Sequence, residues 1–166
     1  MELCKCGLQG LDMTHKTGDI YLIRNRTWFS KLIRFWTRSR FDHAGMAISD
    51  TKGVEMRSSG ITIVELADIN GEEIVYLTPV KPLTVSQKAA IKSFLVEKIK
   101  AHSRYDWPAI LGFILFKRLQ HPKRFFCFEL VWAAYESAGA PLGRLDIRDY
   151  VDGRLIYSSL ALEVKE

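Results

Sequence analysis

From Gly18 to Leu77 the chain runs in short β-branched and aromatic stretches separated by turn residues, and beyond Pro79 it changes to helical periodicity. That change of period predicts strands first and helices after: a single α+β domain with an antiparallel sheet packed against helices. Residues 18–24, Gly-Asp-Ile-Tyr-Leu-Ile-Arg, read as the first strand. A helix follows over 28–36, capped by Asn25 or Thr27, with Trp28, Phe29, Leu32, Ile33 and Trp36 on one face and Lys31, Arg34, Arg38 and Arg40 elsewhere. Aromatic residues at that spacing are expected in the core. Residues 41–48 and 54–57, joined through Ser49-Asp-Thr-Lys-Gly53, carry a hairpin signal. Segments 61–66 and 73–77, with Asn70-Gly71 as a turn, are expected to continue it as a meander. After Pro79 and Pro82, Thr84 or Ser86 opens a helix over 87–101, with Ala90, Ile91, Phe94, Leu95 and Ile99 on its buried stripe. A very apolar helix is expected from about Trp107 to Leu119. Another begins near Cys127 and stops at Gly139 and Pro141.

A length of 166 residues suits one domain with a core large enough to fold unaided. Residues 1–17 read as a lead segment and 145–166 as a C-terminal extension, with no repeat or linker between. Lys and Arg exceed Asp and Glu by 24 − 19 = 5, but no recognised motif accompanies the excess, so nucleic acid is not an expected partner. Three cysteines make no disulfide framework, and Cys4 and Cys6 are too close together to be half of an ordinary zinc site. No metal or other cofactor is expected. The N-terminus lacks the basic start and apolar run of a signal peptide, and the apolar run 107–116 is too short to span a bilayer. A cytoplasmic location is therefore the expectation.

The chemistry-bearing residues fall in two places. Cys127 lies in or just before the first turn of its helix, where unpaired N–H groups and the positive end of the dipole favour a thiolate and can hold an oxyanion. A cysteine nucleophile needs a base, and the base an orienting group. On the first hairpin strand His43, Gly45 and Ala47 share a face, which leaves open space before the His43 ring. A three-residue loop, 49–51, places Glu55 opposite Gly45 and diagonal to His43, within reach of its imidazole. A five-residue loop carries Glu55 further away, and both loops fit the sequence. Tyr105, before the apolar helix, is a candidate oxyanion donor beside the Cys127 N–H.

Taken together, Gly18-Asp-Ile, His43-Ala-Gly, Glu55 twelve positions on, Tyr105-Asp-Trp107 and Phe-Cys127-Phe-Glu-Leu-Val-Trp resemble the NlpC-type papain-like cysteine hydrolases. More narrowly they resemble the circularly permuted, YiiX-like group, in which histidine precedes cysteine. The resemblance covers about residues 18–143 and implies a papain-like core with Cys127 as nucleophile, His43 as base, Glu55 as orienting residue and Tyr105 near the oxyanion. Two positions depart from the family pattern: Phe128 stands where serine usually follows the nucleophile, and Asp42 where serine commonly precedes the histidine. Phe128, Tyr105 and Trp107 are accordingly the residues expected to shape the substrate mouth. An acid at 42 would raise the His43 pKa if it pointed inward.

The implied activity is hydrolysis of an amide bond through a thioester, with a cell-wall-type peptide as substrate and a phage, prophage or recycling setting to reconcile that substrate with the missing signal. The alternatives are a lipid acyltransferase or thioesterase using the same three residues, with a lipid or membrane surface as partner, and a non-catalytic binding module.

Overall fold

The computed structural model describes residues 14–57, 59–101, 126–143 and 153–165. Strand β1 (Ile20–Arg24) is followed by helix α1 (Trp28–Thr37), then β2 (His43–Ala47), β3 (Lys52–Arg57) and β4 (Gly60–Glu65). A short turn of helix at Leu66–Asp68 leads to β5 (Glu73–Pro79) and helix α2 (Val85–Lys100). Helix α3 (Cys127–Ser137), a short α4 (Gly153–Tyr157) and β6 (Leu162–Val164) complete the described elements. The strands form one antiparallel sheet in the order β4-β3-β2-β1-β5-β6.

That order corrects the expected meander. β4 does pair with β3, but β5 crosses to the far side and pairs with β1, Tyr21 lying opposite Tyr76. Asn70-Gly71 therefore lies in a crossing connection and not in a hairpin. Leu66, buried at the start of that connection, joins Tyr21, Ile23 and Ala47 in a small second core. The C-terminal residues also enter the sheet, because β6 takes the open edge of β5.

Alternation sorts the strands between two faces. Ile20, Leu22, Ala44, Met46, Val54, Met56 and Leu77 enter the main core with Ile91 and Leu95 of α2 and the apolar length of α3. Thr84 caps α2 reciprocally: its hydroxyl accepts from the Gln87 N–H at 3.2 Å, and its own N–H donates to Gln87 Oε1 at 3.0 Å. Near the other end of α3 from Cys127, the Tyr135 hydroxyl donates to Gly18 O at 2.5 Å, tying the helix to the entry of β1.

Helix α1 forms where expected, with Thr27 as its cap, but its apolar face is only partly covered: Phe29, Leu32 and Ile33 are half-buried. Its buried residues are Ser30 and Thr37, while Trp28 and Phe35 are each 75% exposed. The side chain of Trp36 lies outside the described residues. A buried ion pair holds the polar side of the helix. Asp42, buried just before β2, accepts from Arg34 Nη1 at 2.7 Å, from the Asn25 N–H at 2.8 Å and from Asn25 Nδ2 at 2.8 Å. Arg34 also donates to Asn25 O at 2.7 Å, so the polar side of α1 is clamped toward β2. Removing one member of a buried, hydrogen-bonded ion pair costs about 3 kcal/mol. Asp42→Ala is therefore expected to lower the unfolding free energy by about that amount, and a loss under a third as large in urea denaturation would mean the clamp is ornamental. Among the described residues no helix is long and apolar enough to cross a membrane.

Candidate active site

Cys127 is the first residue of α3, 3% exposed and a free thiol. Phe126 before it is extended, with φ −102° and ψ 172°, and has no polar side chain to cap the helix. The first bond along the helix runs from the Leu130 N–H to Phe126 O at 3.0 Å, and the Phe126 N–H donates to Glu129 Oε2 at 3.2 Å. The N–H groups of Cys127 and Phe128 take no such partner among the described residues. They lie in the first turn, at the positive end of the helix.

His43 opens β2. The hairpin adopts the three-residue loop, since Gly45 pairs with Glu55 and Ala47 with Gly53, and Glu55 falls diagonal to His43 as that loop requires. His43 Nε2 is paired with Glu55 Oε2. The ring also interacts with the Cys127 side chain through hydrogen bonding and charge. With Nε2 held by the carboxylate, Nδ1 is the nitrogen left for the sulfur. Cys127, His43 and Glu55 are thus brought together.

The electrostatics follow from these contacts. Burial pushes the His43 pKa down, but hydrogen bonds to Cys127 and Glu55 and the charges on both outweigh it and raise the value to about 10. For Glu55, burial pushes up, and His43 followed by Arg57 outweigh it, so the carboxyl lies below its ordinary range. The folded protein holds the His43 proton more tightly than the unfolded chain does. That proton stabilises the fold in full below the ordinary value of 6.5, and the stabilisation is lost as pH climbs through about 10. Glu55 has the opposite sense, its contribution fading only in acid. Urea midpoints followed from neutral pH to about 11 are expected to fall more steeply for the wild type than for His43→Gln. Parallel curves would show that the ring gains nothing from its neighbours.

Several expectations are revised here. The space in front of Gly45 is filled by Tyr21: a Cβ at 45 would lie 2.2 Å from both the Tyr21 Cζ and its hydroxyl oxygen. A glycine on a central strand made room for a cross-strand ring instead of a ligand. Phe128 is buried, edge-to-face with Phe126 at 6.2 Å between centroids, and packed on Gly153. Its ring thus faces the core and not a mouth, the ordinary fate of an aromatic side chain at the second position of a buried helix. Asp42 turns toward Arg34 and Asn25, as adjacent strand residues point oppositely, and leaves His43 to Glu55. Tyr105 and Trp107 lie outside the described residues.

Arg57 is the residue that sequence reasoning missed. Its Nε and Nη2 donate to Glu55 Oε1 at 3.0 and 2.6 Å. The signal was present in the i, i+2 spacing, which puts residues 55 and 57 of one strand on the same face.

No family model matches this sequence, and no curated protein matches it. Among solved structures, the fold is similar to that of the metalloprotein yiiX from Escherichia coli O157:H7. The likeness has a TM-score of 0.71 and covers 92% of this chain and 97% of that one, at 19% sequence identity. The chain thus has a YiiX-like α+β fold.

Proposed function

We propose that this protein is a cysteine hydrolase that cleaves an amide bond through a thioester acyl-enzyme, on a circularly permuted papain-like scaffold. The observation that carries the reading is the convergence of a thiol and a buried carboxylate on one imidazole, from a helix start and two neighbouring strands. The order of His43 before Cys127 along the chain is what the permuted assignment rests on.

In this mechanism the Cys127 thiolate attacks the carbonyl carbon, and the oxyanion is received by the Cys127 and Phe128 N–H groups. The His43 imidazolium gives its proton to the leaving amine as the C–N bond breaks. Water, giving a proton back to His43, then attacks the thioester and releases the acid and the thiolate. Glu55 holds the ring's orientation throughout. The substrate class is a small peptide or acylated amine, with cell-wall-type peptides as the first candidates.

The similar yiiX structure is that of a metalloprotein. Among the described residues of this chain no group of three His, Cys, Asp or Glu is placed to hold a metal ion. At the site, Nε2 of His43 and both Glu55 oxygens are already engaged. That donor set, so engaged, does not fit an ion.

The test is incubation with muropeptide fragments and acyl esters, followed by intact-mass analysis. An acyl adduct on Cys127 that accumulates and decays, and is absent in Cys127→Ala, supports the reading. Turnover that survives Cys127→Ala would end it.

A further inference from the structure

We infer that Arg57 is a positioning residue of this site, acting through Glu55 to hold the His43 ring in register with the Cys127 sulfur. The inference rests on the cysteine-hydrolase reading above, and it extends a three-residue arrangement to four.

The geometry has three parts. Glu55 is 2% exposed, and its two oxygens are divided between two partners: Oε2 to His43, Oε1 to the Arg57 Nε and Nη2. A carboxylate held on both oxygens cannot rotate about its terminal bond without breaking one contact. Arg57 itself is the last residue of β3, its side chain 54% exposed, and Glu55 is the one acid paired with it among the described residues. The guanidinium therefore sits at the rim, between a buried carboxylate and water.

Charge gives the same result. The titratable groups around Glu55 are His43 from β2, Arg57 from β3, Tyr21 from β1 with Tyr76 behind it on β5, and Cys127 from α3 beyond His43. Both tyrosines have phenol pKa values pushed above the ordinary range, Tyr21 chiefly by burial, so neither supplies a charge near neutrality. What remains is an alternating row of cation, anion and cation, from Arg57 through Glu55 to His43, with the Cys127 sulfur at its end. A buried carboxylate facing one cation through one oxygen is costly to keep ionised, and the permanent guanidinium offsets that cost. Without it, Glu55 takes up a proton at higher pH and loses its fixed plane. Both changes weaken its hold on His43.

The experiment needs no substrate. In a Cys4→Ser, Cys6→Ser background, the rate of Cys127 alkylation by iodoacetamide is measured from acid to alkaline pH for the wild type, His43→Ala, Arg57→Gln, Arg57→Lys, Glu55→Gln and the Arg57→Gln, Glu55→Gln double variant. Arg57→Gln is expected to slow alkylation on the acid side on the order of tenfold, the worth of a charge-assisted hydrogen bond. Its acid limb should move to higher pH, and Arg57→Lys should recover part of both. In the Glu55→Gln background the Arg57 change should do little more, because its route is already cut. A wild-type profile in Arg57→Gln, or an undiminished Arg57 effect without Glu55, overturns the inference. Should Arg57→Gln melt below the assay temperature, Arg57→Lys decides: it keeps the charge and loses the fork, and a curve superimposed on the wild type overturns the inference equally. The underlying hydrolase reading fails by a separate sign, namely wild-type alkylation that is slow near neutral pH and indifferent to His43→Ala.

Discussion

Cys127→Ser is expected to be almost as inactive as Cys127→Ala, with kcat lowered by at least about a thousandfold and KM little changed. The usual intuition, that serine is a weaker version of cysteine, fails here because of His43. Its imidazole is held protonated to about pH 10 by the thiol and Glu55 together. Serine removes the thiol's share of that hold and replaces it with a hydroxyl too weakly acidic to become the anion of an ion pair, so no preformed nucleophile remains. His43→Ala should therefore remove turnover too, but by leaving the thiol without a counter-charge and the leaving amine without a proton. Steady-state kinetics on the best muropeptide would decide. A Cys127→Ser variant keeping more than about a tenth of wild-type kcat would mean that His43 works as a free base, against the charge pattern described above.

Gly45→Ala is expected to cost about 3 kcal/mol, or roughly 10 °C in Tm. One methyl group has this effect because the new Cβ would overlap the Tyr21 ring, at 2.2 Å from Cζ and 2.4 Å from Cε2. Tyr21 is fully buried and has little freedom to withdraw, since its hydroxyl lies 2.9 Å from where a Cβ at Gly53 would stand. The strands would have to part instead, and Gly45 is the direct cross-strand partner of Glu55. Stability and activity should fall together. Tyr21→Leu, which removes the far end of the ring, should make Gly45→Ala less damaging than it is alone, a departure from additivity expected of touching residues. A Gly45→Ala protein melting within about 1 °C of the wild type would show that the sheet yields there easily.

Legibility in the sequence divides along a physical line. The hairpin register was open to reading because parity is rigid: once the loop has three residues, Glu55 must face Gly45. The position of β5 was not, since β4 and β1 both offered an edge and turn residues do not say which is taken. Periodicity placed Trp28 and Leu32 on one side of α1, but the grip of Asp42 on Arg34, which holds the polar side, is a contact that periodicity does not show. Small residues near His43 suggested open space before its ring, but the space at Gly45 is filled by a tyrosine from β1. An arginine ending a strand reads as a solvated tip, so Arg57 passed unnoticed until its fork on Glu55 was visible. The meeting of Cys127 with His43 was implied by family resemblance, because nothing in the spacing of two distant segments requires it.

That separation along the chain has a consequence for the protein's own synthesis. His43 and Glu55 belong to a sheet whose first five strands end at Pro79, whereas Cys127 follows His43 by 127 − 43 = 84 positions. At the usual 5–20 residues per second, roughly 4 to 17 s separate the ring from its sulfur as the nascent chain lengthens. During that interval the imidazole and carboxylate can already be paired, yet the sulfur they face in the finished fold has not been made. The thiol is the last of the three to emerge, and it meets its partners only when α3 docks on the sheet. On the hydrolase proposal, timing of this kind would keep the thiol unactivated until the fold that directs it exists.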